Sequence, residues 1–147
     1  MKFAPQCLLK TMLACGAMGW AQMSGAADCG AGLRGAQTLE SAHYRLSYRT
    51  QPARIAVGRQ FAIELVVCAK DQPSRVQGVT VDASMPEHAH GMNYKPTVLR
   101  VPPATATPGA RFRADGLMFH MPGRWDLTFD VAGAGGTERL MRSIVLE

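Results

Sequence analysis

The residues best equipped for chemistry lie close together, in "SMPEHAHGMNYKP", residues 84–96. His88 and His90 stand two apart, and Met92 follows two further on, between Pro86 and Pro96. In extended backbone, residues two apart point the same way, at a spacing of about 6–7 Å. His88, His90 and Met92 are therefore expected on one side, and Gly91 lets the chain bend around a single ion. Met85 has the other parity and reads as packing in the preceding strand. Two imidazoles and a thioether make a soft donor set. Thioethers favour Cu(I), and imidazole suits Cu(I), Cu(II) and Zn. Glu87 is the one carboxylate close by, so copper is the metal this set would choose. The competing reading is a tight loop between strands whose histidines bond to backbone carbonyls. The residues alone leave both open.

A second pair of the same chemistry is Met118 and His120, in "ARFRADGLMFHMPG". The apolar face of that run is first Phe112 and Ala114, then Leu117, Phe119 and Met121. One extra residue near Asp115 and Gly116 explains the change of phase, and glycine is the usual residue at such a bulge. After it, Met118 and His120 should face away from the core. They would join the first set at one end of the fold where the 84–96 loop lies beside this strand. Of nine methionines, Met92 and Met118 are the two expected to look outward. Met1, Met12, Met18 and Met23 belong to the N-terminal segment.

Enzyme signatures are lacking. No GxSxG, HExxH or P-loop motif occurs, and no serine or cysteine forms a nucleophile motif with a histidine. No catalytic residue is assigned, and a non-catalytic binding module is expected.

The elements that must position these side chains are strands. "HYRLSYRT" alternates Tyr44, Leu46 and Tyr48. "QFAIELVVCAK" alternates Phe61, Ile63, Leu65 and Val67, and "VTVDASM" alternates Val79, Val81, Ala83 and Met85. "RWDLTFDVAG" alternates Trp125, Leu127, Phe129 and Val131. Period two with β-branched and aromatic residues marks half-buried strands. Turn-rich stretches such as "KDQPS", "PPATATPG" and "GAGGT" separate them. The fold class predicted is all-β, an immunoglobulin-like antiparallel β-sandwich of about seven strands with Trp125 in its core.

The start of the 147-residue chain reads as an address rather than as domain. Lys2 and Lys10 precede a short apolar run, and Gly25, Ala26 and Ala27 supply small residues where a signal peptidase cuts. Residues 1–27 are read as a signal peptide, 28–42 as a flexible N-terminal arm and 43–147 as the β-sandwich domain. The apolar run is too short to stay as a membrane span, so the expected location is the periplasm or the exterior. Cys29 and Cys68 remain after cleavage. In an oxidising compartment they are expected to form a disulfide. Cys68 has the outward parity of its strand, so the bridge should cross the outer face or edge of the sheet. The net charge is +5, but the arginines are scattered and not clustered as nucleic-acid binding requires.

"MPEHAHGM" followed by "GARFRADGLMFHMPGRWDLTFDV" resembles the YtkA-like domain and, more distantly, FixH-type accessory proteins. The shared stretches are residues 85–92 and 109–127, in that order. The resemblance implies a small exported β-sandwich, linked by association to copper handling or oxidase assembly. It differs from the FixH type in having no retained transmembrane helix. Two functions stand from these readings. One is periplasmic copper binding or delivery through His88, His90 and Met92, helped by Met118 and His120. The other is an accessory domain that contacts a protein partner in the cell envelope, with the loop purely structural.

Overall fold

The computed structural model describes residues 29–71, 75–102 and 108–147. The expected signal peptide, residues 1–27, lies outside them. Among these described residues, nine strands pack as two antiparallel sheets. The first sheet holds β1 (Gln37–Glu40), β2 (Tyr44–Gln51), β3 (Gln60–Ala69), β6 (Thr97–Val101) and β7 (Ala110–Met118), in the order β1-β2-β3-β7-β6. The second holds β4 (Val76–Met85), β5 (His90–Gly91), β8 (Gly123–Gly133) and β9 (Gly136–Leu146), in the order β5-β4-β8-β9. The count exceeds the expected seven or so, in part because β1 and β5 are too short to show a period.

Alternation put the right faces inside. Tyr44, Leu46, Tyr48, Phe61, Ile63, Leu65, Val67, Trp125, Leu127, Phe129 and Val131 are all buried between the sheets. Each such side chain contributes about 1.5–3 kcal/mol when taken fully out of water. Trp125 stacks on Phe119, ring centres 4.7 Å apart and planes 11° apart. Its indole N–H donates to the Met121 carbonyl at 3.0 Å, so its one polar atom is satisfied.

The bulge lies where the change of phase in β7 places it. Phe61 pairs with Leu117 and Ile63 with Ala114, so Asp115 and Gly116 together oppose Ala62. Gly116 takes a φ of +85° there, a value that an L side chain resists. The result is that Phe112, Ala114, Leu117 and Phe119 all reach the core from one strand and its extension.

The segment expected as a flexible arm is instead built into the fold. Residues 37–40 pair with β2, from Gln37 against Tyr48 to Glu40 against Arg45. Cys29 and Leu33 bury against Val66 on the outer face of β3, with Ala36 and Cys68 beside them. Cys29 and Cys68 form the expected disulfide, with Cα atoms 5.9 Å apart. Ser47 Oγ donates to the Cys29 carbonyl at 2.7 Å. The physical reason is the outer face of β3: Val66 is apolar there, and Cys29 and Leu33 cover it. Gly109 packs close to the bridge, where a Cβ would come within 2.7 Å of Cys68 Sγ.

Candidate functional site

At the other end of β3 and β7 from the disulfide, the end of β4 turns back on itself. The copper reading took His88 to Met92 as extended backbone. Pro86–His88 instead forms one 3-10 turn, closed by Ala89 at φ 51°, and the chain returns as β5. Pro86 accounts for the turn, since its fixed φ suits a helical first position and it has no N–H to lose. β5 pairs back on β4, Ser84 with Gly91 and Met85 with His90. The Met92 N–H donates to the Ala83 carbonyl at 3.1 Å, which extends the hairpin by one more residue pair.

That hairpin decides which side chains meet. Directly opposed residues of an antiparallel pair point to the same face. Ala83 and Met85 are buried on the inner face of their sheet, so His90 and Met92 face inward too. Met92 is half-buried and packs on the core. The parity expected for His90 and Met92 holds, but the face is the inner one. His88 sits on the turn, exposed, with its ring centre 5.8 Å from that of His90.

His120 arrives from the other sheet. β7 ends at Met118, so strict alternation does not carry on to residue 120, and the chain turns toward β8 through Pro122 and Gly123. The expectation that His120 faces away from the core is overturned for that reason. Its ring centre lies 5.2 Å from that of His90 and 5.2 Å from that of Trp125, nearly perpendicular to the indole. His90 meets the same indole at 6.1 Å and 81°. Trp125, placed by the sequence reading on the opposite face from the histidines, is a wall of their site. Met118 does not join them. It opposes the exposed Gln60 and alternates with buried Leu117, which puts it on the outer face.

His90 Nε2 and His120 Nδ1 are buried and have no hydrogen-bond partner. A buried polar atom without a partner costs about 1–3 kcal/mol and calls for an explanation. A ring nitrogen about 2 Å from a metal holds its ring centre about 3 Å away, so two imidazoles on one ion stand about 5–6 Å apart. The His90–His120 separation falls in that range. Among the described residues, no three His, Cys, Asp or Glu side chains come together as a metal cluster. Glu87, the nearby carboxylate, is directed to Arg124 at 3.5 Å on the rim.

No family model matches the chain. No curated protein matches it either. Among solved structures, the chain is similar to a DUF4426 family protein from Pseudomonas aeruginosa PAO1, with 16% identity and a TM-score of 0.47. That likeness covers 76% of this chain and 98% of the other. The YtkA-like resemblance accordingly rests on its two motifs alone.

Met85 is buried on the inner face as its parity predicts, but sequence reasoning missed its neighbour. It has no exposed surface and is the cross-strand partner of His90. Only the reversal at 86–89 creates that pairing, and the signal for it was the proline followed two residues later by the first histidine.

Proposed function

We propose that this chain is an exported, non-catalytic module that binds or delivers copper as Cu(I) between the ends of its two sheets. His90 and His120 are the nitrogen ligands, and inward-facing Met92 is a thioether ligand. His88 stands at the mouth, where it can hand an ion in or out. The single observation that carries the reading is the pair of buried, unpartnered nitrogens on two rings 5.2 Å apart. Two imidazoles and thioethers suit a soft monovalent ion better than they suit Zn, whose protein ligands are Cys, His, Asp and Glu rather than Met. The signal-like start of the sequence and the disulfide agree with a periplasmic or secreted setting. The YtkA-like motifs, with their association to copper handling, point the same way.

The alternative, an accessory domain with a structural loop, requires the imidazoles to serve the fold through backbone bonds. The unpartnered state of His90 Nε2 and His120 Nδ1 weighs against it. The test is a competition titration with a Cu(I) chelator under anaerobic conditions. Wild type should take up one Cu(I), and the double variant His90→Ala/His120→Ala should lose it while keeping its far-UV circular dichroism. Equal uptake by both proteins, or none by either, would replace the copper reading with the accessory-domain one.

A further inference from the structure

We propose that Met85 supplies a second thioether to the same ion, so that the site is a two-histidine, two-methionine centre selective for monovalent soft cations. The inference rests on the copper reading above and adds a ligand to it. Met85 is wholly buried at the end of β4. Its backbone pairs with His90, which places the two side chains on one face at neighbouring positions. Its far end lies elsewhere. A Cβ on Gly123 would stand 2.8 Å from Met85 Cε, so the thioether tip sits under the turn between β7 and β8. That turn carries His120 three residues earlier. Met85 thus reaches from the strand paired with His90 to the turn that follows His120, the two segments that hold the unpartnered nitrogens.

The chemistry of the slot favours this role. Gly123 has a φ of +117°, and its missing side chain leaves room for the Met85 methyl. Packing alone does not call for a thioether there, since leucine fills a similar volume. A thioether is neutral and adds no charge to the buried site. Two imidazoles and two thioethers leave a bound Cu(I) with a net charge of one, and a divalent ion with two. Burying the larger charge costs much more in a water-poor site. Thioether donors also favour Cu(I) directly.

The experiment uses full-length protein labelled with [13Cε]methionine, titrated with Ag(I) as a redox-stable probe and with Cu(I) under anaerobic conditions. At one equivalent the Met85 and Met92 methyl resonances should shift, while that of exposed Met141 on β9 should not. Met85→Leu should bind Ag(I) and Cu(I) at least about tenfold more weakly, a loss in the range seen when a site's support is removed. Its apo melting curve, and that of Met85→Ile, reports whether the fold survives. If the methyl does not move, or moves while both variants bind as wild type, Met85 is a packing residue and the inference is overturned. The His90/His120 reading would stand in that case, provided the double alanine variant still loses the ion. Absence of uptake by wild type would overturn both.

Discussion

His43 and Glu138 lock the start of β2 to β9 through a pair whose protonation can be followed. The His43 backbone N–H donates to Glu138 Oε2 at 3.2 Å, and its Nδ1 meets Oε1. The bond to Glu138 holds His43 above its ordinary value of 6.5. Hydrogen bonds from Ser41 and then His43 pull Glu138 down to about 2. Because the His43 value is raised by folding, its contribution is complete below pH 6.5 and is lost as pH climbs through the folded value. Because Glu138 is lowered from 4.5, its contribution is present above that pH and fades as pH falls toward 2. The pair is therefore worth most between those two ordinary values. Urea titrations at pH 5.5 and 8.5, chosen about one to two units either side of the imidazole midpoint, check this. Wild type should lose more stability between them than His43→Gln. Trp125→Phe gives a second residue-scale expectation. It strips the Met121 carbonyl of its 3.0 Å donor and should cost about 1–3 kcal/mol in denaturant unfolding. The types of the site residues were legible in the sequence; the partners were not. His88, His90, Met92 and His120 could be named as donors, but the meeting of His90 with Met85 and Trp125 needs a hairpin between residues 85 and 90.

Elements carry the next set of consequences. The disulfide closes a segment with a sequence separation of 39, and its reduction frees residues 29–36 from the outer face of β3. Unfolding in urea with and without reductant should differ by about 3–4 kcal/mol, on the chain-entropy view of such bridges. An unchanged midpoint would mean that the apolar contacts of Leu33 and Val66 hold the segment unaided. Gly116→Ala tests the bulge. The site is open enough for a Cβ, so the penalty is that of its φ of +85° alone, about 1–2 kcal/mol. The long strands were readable because one face of each is buried, which forces a period of two. β1 and the segment before it were not, since their residues are mostly exposed and the cover they provide is seen only once β3 turns Val66 to its outer side. β5 is two residues long and exists only because of the turn before it.

At the scale of the whole molecule, structure and chemistry are divided between the two ends of one sandwich. The disulfide and the N-terminal cover secure the end where β3 finishes and β7 begins. His88, His90 and His120 occupy the end where β4 finishes and β8 begins, and there both sheets contribute. The first sheet sends His120 and the second sends His90, Met85 and Met92, so an ion held by both would bridge the sheets. A metal-bound protein should accordingly melt at a higher temperature than the apo protein, with the increase growing with free metal concentration. The most direct measurement of the central claim is an anomalous-difference map from a crystal loaded with Cu(I) or Ag(I). The expected result is one peak within about 2–2.5 Å of both His90 Nε2 and His120 Nδ1. A map with no peak between those nitrogens, or with metal only at surface positions, would contradict it.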